Sequence, residues 1–153
     1  MVTEKGYKEH VLKGTELVSR VVVGVLFIYA GWVKGMDVYG FSKTVYGYGL
    51  LPGVLVNGVA IVLPWVEVVA GVCLVAGIWP RASSGVVGIL LGLFMGAILF
   101  NMMRGYTFDC GCFGAESGET GWGTVTRDVA MHLPMLWVLL YRGKRWLCLA
   151  EQG

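Results

Sequence analysis

Residues 82–103 read ASSGVVGILLGLFMGAILFNMM and contain no Asp, Glu, Lys or Arg. About 20 consecutive apolar residues are enough for an α-helix to cross the hydrocarbon layer of a bilayer. This stretch therefore predicts a transmembrane helix. Gly88, Gly92 and Gly96 recur every four residues within it. That spacing either forms a face for close helix packing or arises by chance in a glycine-rich segment.

The composition of the whole chain agrees with a membrane location. Hydrophobic residues make up 56% of the 153 residues and charged residues 14%, whereas an ordinary soluble domain has about 45–50% apolar and about 25% charged residues. A soluble domain of this length has too small a core to bury so much apolar surface. The net charge of +2 is too small to indicate a nucleic-acid partner.

Three further apolar stretches accompany residues 82–103. We therefore predict a single transmembrane domain, an all-α bundle of four helices, with spans at about 17–36, 54–79, 82–103 and 125–141. The fourth span is the weakest because it begins with charged residues. Arg20 and Lys34 bracket the uncharged centre of the first span, so we expect both side chains to extend to the membrane interfaces. The segment 34–52, rich in glycine and tyrosine, is predicted to be a loop.

The distribution of basic residues predicts the orientation of the bundle. Four spans place both termini on one side of the membrane. That side, together with the turn between the second and third spans, carries eight Lys and Arg residues against four on the other. By the positive-inside rule, both termini face the cytoplasm. The loop between the third and fourth spans then faces outward, which for a bacterial inner membrane is the periplasm.

The most distinctive motif lies in that outward loop, where residues 108–114 read FDCGCFG. A disulfide between Cys110 and Cys112 closes a very small ring and adds little stability. Strained, exposed disulfides exchange readily, so the pair is a candidate catalytic dithiol. A structural disulfide and a metal-binding pair are the alternatives; two thiolates do not complete a tetrahedral site, and we predict no metal. Cys73 and Cys148, in and after other spans, are interpreted as small buried or spectator residues. Cys73 is alternatively a second redox station, although a single thiol forms no internal pair.

Four polar residues in or beside the spans are further site candidates. Glu67 falls near the middle of the second span, where a carboxylate is costly and marks a candidate functional site. It can relay a proton, contact a quinone carbonyl when protonated, or anchor two helices by a hydrogen bond. Arg127 can favour a thiolate in the nearby cysteine pair, or Arg127 and Asp128 are ordinary interfacial charges. His132 is either a packing residue or a supporting base.

A series of short motifs runs from about residue 20 to residue 141. It consists of Arg20 with Gly24, Ala30–Lys34 (AGWVK), Tyr48–Pro52 (YGLLP), Leu63–Glu67 (LPWVE) with Gly71, Gly77 with Arg81, Arg104–Gly105 before the cysteine motif, and Arg127–Asp128. Its most specific element is the CGCFG sequence. In these motifs the chain resembles the MauE branch of the DoxX-like membrane proteins.

The resemblance implies a four-helix membrane bundle that works beside thioredoxin-like proteins, for instance in the maturation of disulfide-rich periplasmic enzymes. MauE-type proteins are associated with the production of methylamine dehydrogenase, and DoxX-like relatives with quinone reduction by sulfur compounds. A fold-level analogy does not fix the substrate. The positions carried over from the pattern are Cys110, Cys112, Glu67, Arg81, Arg127 and Asp128.

One leading hypothesis and two alternatives follow. The first is a membrane thiol–disulfide oxidoreductase in which Cys110 and Cys112 exchange with a periplasmic thioredoxin-like partner, with a quinone near Glu67 as a candidate electron partner. The second is a non-enzymatic accessory or assembly subunit of a larger membrane complex, with the cysteines as a structural clip. The third is a small-solute or metal transporter or binding protein, for which the spans contain few polar residues. The residues leave open whether the protein is an enzyme.

Overall fold

The computed structural model describes residues 2–104, 122–141 and 148–149. These ranges form five α-helices: α1 (Val2–Met36), α2 (Val38–Gly47), α3 (Gly53–Ala76), α4 (Pro80–Met103) and α5 (Trp122–Leu140). Three segments are long and apolar enough to cross a membrane, namely Tyr7–Met36, Gly53–Ala76 and Pro80–Met103. The apolar part of α5, Val129–Leu140, is shorter. The structure confirms an all-helical membrane protein, and the fourth span stays a prediction.

The outer surface of these helices is the kind that a lipid solvent requires. Large apolar side chains are exposed along α3, α4 and α5, among them Val62, Leu93 and Leu133. So many exposed large apolar side chains are unusual on a water-soluble monomer. In a bilayer the same side chains contact lipid tails at no cost.

The predicted loop between the first two spans is wrong in its central part, because Val38–Gly47 form helix α2. Asp37 precedes this helix, and its Oδ1 accepts a hydrogen bond of 2.8 Å from the Gly40 amide. This bond satisfies one of the free N–H groups of the first turn. Phe41 and Val45 lie one helical turn apart and are buried against α3. Glycine and tyrosine suggested a loop, but burial of this apolar face favours a helix.

Helices α1 and α3 approach one another closely at glycine residues. A Cβ atom added at Gly71 would lie 2.7 Å from the Gly24 carbonyl oxygen, and one added at Gly31 would lie 2.6 Å from the Pro64 carbonyl oxygen. Real Cβ atoms do not come this close to a backbone oxygen, so only glycine permits this separation of the backbones. The order of the two contacts shows that α1 and α3 run antiparallel.

Helices α1 and α2 lie one after the other along α3. A first buried cluster joins α1 to α3, α4 and α5, and its members include Val23, Phe27, Leu74, Leu91 and Met135. A second cluster joins α2 to the first half of α3 through Phe41, Val45, Val56 and Ala60. Thus α1 covers the C-terminal half of α3, and α2 covers its N-terminal half.

The glycine stripe on α4 is largely open. A Cβ atom at Gly88 would meet Met135 Cγ at 3.8 Å, an ordinary van der Waals contact. At Gly92 and Gly96 the described structure places nothing within 4 Å. Within the described residues, the close helix packing is therefore made by the glycines of α1 and α3 rather than by this stripe.

Candidate functional site

The structure describes the helices on either side of the cysteine motif but not the motif itself. Helix α4 ends at Met103 and α5 begins at Trp122, and Cys110 and Cys112 lie outside the described residues. The backbone of residues 127–128 belongs to the first turns of α5, while the side chains of Arg127 and Asp128 also lie outside the description. The predicted influence of Arg127 on the cysteine pair stays a prediction.

A buried ion pair joins α1 to α3. Lys34 Nζ donates a hydrogen bond of 2.6 Å to Glu67 Oε1, and both side chains are only 2% exposed. At about 1.5 Å per residue, Glu67 lies roughly 20 Å from the start of α3, just past its middle. Gly31, one turn before Lys34, creates the close approach, because a Cβ there would lie 3.1 Å from Glu67 Cβ. The pair thus depends on the glycine contact between the two helices.

Two further helices contribute aromatic rings around the ammonium group. Lys34 Nζ lies 4.4 Å from the centre of the Phe94 ring of α4 and 5.4 Å from the centre of the Phe41 ring of α2. The negative face of an aromatic ring attracts a cation, and this attraction strengthens when water is excluded. Side chains from α1, α2, α3 and α4 therefore meet at one buried charged group.

The second carboxylate oxygen of Glu67 has a different environment. Glu67 Oε2 is buried and accepts no hydrogen bond from any described residue. A buried carboxylate oxygen without a donor is costly, and each such atom requires an explanation. This oxygen can take up a proton or accept a hydrogen bond from a small ligand or water. Glu67 Oε2 is therefore the atom of this site at which a proton or a small ligand would bind.

The expectation that Arg20 and Lys34 extend to the interfaces is wrong, because both side chains are buried. Each has an acidic residue on the bundle side: Lys34 pairs with Glu67, and Arg20 lies 3.9 Å from Glu16 one turn earlier. A nearby acidic group makes burial of a basic group less costly than leaving it unpaired. The sequence signal for the Lys34–Glu67 pair is that a basic residue lies inside one predicted span and an acidic residue inside another.

Cys148 lies beside α1. Arg20 Nη1 donates a hydrogen bond of 3.2 Å to the Cys148 sulfur. Cys148, predicted to be a spectator, therefore contacts the first helix at the end of the bundle opposite to α2. The structure brings Cys148 to Arg20 rather than to Glu67.

The remaining predicted residues are dispersed. Arg81 lies in the first turn of α4, at the opposite end of that helix from the cysteine motif. His132 is half-buried near the middle of α5.

Cys73 lines an open, almost wholly apolar groove of about 450 Å³ between α3 and α4, together with Trp65 and Trp79. The groove has the chemistry to hold an apolar chain, such as a lipid or quinone tail. No three His, Cys, Asp or Glu side chains within the described ranges lie together as metal ligands.

Comparison with known proteins identifies a matching family and several related sequences. The model of the family described as "Methylamine utilisation protein MauE" matches residues 13–141. The MauE protein of Paracoccus denitrificans is 35% identical over 114 residues, 73% of this chain and 61% of that protein. The MauE protein of Methylorubrum extorquens is 35% identical over 104 residues, 65% of this chain and 56% of that protein. No solved structure shows a significant match.

The family match covers most of the chain, including the complete α3, α4 and α5. The chain spans about three-fifths of the length of the first two relatives. The resemblance read from the short motifs is thereby confirmed for its MauE part. This protein belongs to the MauE family.

Proposed function

We propose that the protein is a membrane thiol–disulfide oxidoreductase whose working groups are Cys110 and Cys112. The observation that carries the proposal is the position of two cysteines one residue apart, in the segment that joins α4 to α5 of a MauE-family chain. One thiolate attacks a disulfide of the partner and forms a mixed disulfide. The second cysteine then resolves it, so the pair becomes oxidised while the partner is released as a dithiol; the reverse direction uses the same steps.

The family suggests the setting of this chemistry. The relatives are named for methylamine utilisation, and we infer that this chain serves that process by supporting the maturation of exported, disulfide-containing proteins with a thioredoxin-like partner. The bacterial inner membrane, with the cysteine motif facing the periplasm, is the location that fits an exchange partner of this kind. A quinone is a candidate electron partner, and the apolar groove of about 450 Å³ lined by Cys73 offers space for part of its apolar tail.

The double replacement Cys110→Ala plus Cys112→Ala is expected to abolish exchange with a thioredoxin-like protein, because no thiolate is left to attack or to resolve. The single replacement that removes the resolving cysteine should instead accumulate a mixed disulfide with the partner. Non-reducing electrophoresis of alkylated membranes, followed by mass spectrometry of the shifted band, measures both results.

The chain provides its own matched control. Cys73→Ala plus Cys148→Ala removes the same number of thiols and leaves the motif intact, so exchange should persist. A Cys110→Ala, Cys112→Ala variant that still exchanges at the wild-type rate would rule out the oxidoreductase proposal.

A second candidate function is that of an accessory or assembly subunit of a larger membrane complex. It is favoured by the open glycine face of α4, where Gly85, Gly92 and Gly96 have nothing within 4 Å in the described structure. Small residues on a membrane helix allow another helix to approach closely. The two functions separate experimentally: an assembly role predicts that Gly92→Leu disrupts complex formation while the double cysteine variant does not.

A further inference from the structure

The break between α1 and α2 lies beside the N-terminal half of α3, which is a candidate membrane span. Gly31 of α1 contacts α3 at Pro64, and Phe41 of α2 is packed with Ala60 in the first half of α3. Asp37, where the helix is interrupted with φ −127° and ψ 67°, falls between these two contacts. The helix bounds therefore place irregular backbone and a carboxylate within the depth of the candidate span Gly53–Ala76.

Such a position is costly if it faces lipid. The Asp37 N–H donates to the Val33 carbonyl at 3.3 Å, and the Asp37 carbonyl accepts from the Phe41 N–H at 3.0 Å. The cost therefore falls on the carboxylate, which hydrocarbon does not solvate. Asp37 is exposed, so protein does not bury it within the described structure. On the exposed face of α2, the Lys43 ammonium group lies 4.4 Å from the centre of the Tyr39 ring, Tyr46 is also exposed, and Ser42 is half-buried. Lysine and tyrosine combine an apolar body with a polar tip, which suits a boundary with water.

The buried ion pair lies close to this break. Lys34 is one helical turn before Asp37, and its ammonium group contacts Phe41 of α2. Glu67, its partner on α3, offers a buried oxygen that accepts no hydrogen bond from any described residue. Water that reached the break would supply the missing donor, since bridging water commonly satisfies buried polar groups of this kind.

We propose that water enters the membrane from the α2 end of the bundle and reaches the Lys34–Glu67 pair, which exchanges protons with that side. A hydronium ion in this passage gives its proton to Glu67 Oε2 and leaves as water. The carboxylate becomes a carboxylic acid, Lys34 keeps its proton, and the net charge of the pair changes from zero to plus one. The reverse step returns the proton, and no electron is transferred. Among the described contacts, Lys34 of α1 faces the exchanging carboxylate, and Phe41 of α2 and Phe94 of α4 face the Lys34 ammonium group.

The direction of access follows from the fold without any assumption about membrane orientation. α2 leads into α3 at Gly53, and the opposite end of α3 leads into α4 at Pro80. The end of the bundle that holds α2 is therefore also the end at which α4 finishes and α5 begins. The proton site therefore opens toward the side on which the cysteine segment joins α4 to α5. Proton exchange at this site does not depend on whether the cysteines exchange disulfides.

Cysteine accessibility tests the water passage while Lys34 and Glu67 remain intact. In full-length protein with the four native cysteines replaced by serine, Asp37→Cys, Lys43→Cys and Ile61→Cys are compared in sealed vesicles treated with a charged, membrane-impermeant methanethiosulfonate. Lys43→Cys, on the exposed face of α2, reports that the chain is inserted and identifies the reacting side. Ile61 is an exposed apolar residue of α3 at a similar depth to Asp37 and should face lipid.

We expect Asp37→Cys to react from the same side as Lys43→Cys, on the order of a hundredfold faster than Ile61→Cys, because a charged reagent is strongly disfavoured in hydrocarbon. Asp37→Cys reacting as slowly as Ile61→Cys would overturn the passage. Infrared difference spectroscopy tests the proton step: a carboxyl band that responds to bulk pH and is missing in Glu67→Gln supports exchange. An unchanged spectrum over the pH range in which the protein stays folded would overturn it.

Discussion

Lys34→Met is expected to lower the free energy of unfolding by about 3–5 kcal/mol, since removing one member of a buried ion pair leaves an uncompensated charge. Glu67 is 2% exposed and accepts a hydrogen bond of 2.6 Å from Lys34, so the substitution removes the counter-charge of a buried carboxylate. Glu67→Met should cost a similar amount for the same reason. Unfolding in mixed detergent micelles, followed by circular dichroism, measures each variant against the wild type.

The double variant decides whether the pair itself causes the loss. Lys34→Met plus Glu67→Met removes both charges and leaves apolar side chains beside Phe41 and Phe94, so its stability should return to that of the wild type or exceed it by about 1–4 kcal/mol. The matched control is Lys43→Met, which removes an exposed lysine and should change stability by less than about 0.5 kcal/mol. Additive losses in the double variant would contradict a direct interaction between the two residues.

Gly71→Ala is expected to destabilise the bundle by about 1–3 kcal/mol, the usual cost of overpacking. The new Cβ would lie 2.7 Å from the Gly24 carbonyl oxygen and 3.0 Å from the Ile28 amide nitrogen. Both are backbone atoms of α1, so relief requires the two helices to move apart. Because the Lys34–Glu67 bond joins the same helices, the substitution should also lengthen it. The same unfolding assay measures the loss of stability.

Gly92→Ala supplies the matched control for this substitution. It adds the same methyl group to a membrane helix, at a position where the described structure has nothing within 4 Å. Alanine has the higher helix propensity, so Gly92→Ala should be neutral or stabilising by up to about 1 kcal/mol. Equal losses at both positions would show that the α1–α3 contact is not the tight one, or that a partner covers the α4 face.

The membrane class was readable from the sequence because it depends on local composition. The uncharged run of α4 and the apolar run of α3 are each long enough to cross a bilayer, and no tertiary contact is needed to recognise them. Helix α2 was not predicted, because its formation depends on tertiary contacts that local composition does not reveal. Gly40, Tyr39 and Tyr46 suggest an interfacial loop, whereas the helix depends on Phe41 and Val45 packing against a distant segment.

Only one member of the buried ion pair, Glu67, was predicted as a site residue from the sequence. Glu67 stood out as an acid in a span, but its partner Lys34 lies 33 residues away and was assigned to the interface from its place at the end of a span. The pairing depends on the glycine contact of Gly31 with α3, which sequence spacing does not reveal. Conversely, the regular spacing of Gly88, Gly92 and Gly96 drew attention to a face that is mostly open within the described residues.

The reduction potential of the Cys110–Cys112 pair tests the proposed function most directly. Membranes are equilibrated in a graded series of dithiol buffers and alkylated, and the mass shift reports the oxidised fraction. A Cys73→Ala, Cys148→Ala background removes the other thiols. A reversible two-electron transition between about −120 and −270 mV, the range of dedicated exchange proteins, is the result that we predict. A pair that stays oxidised below about −300 mV would be a structural disulfide, and that result, or a pair that never oxidises, would contradict a thiol–disulfide oxidoreductase.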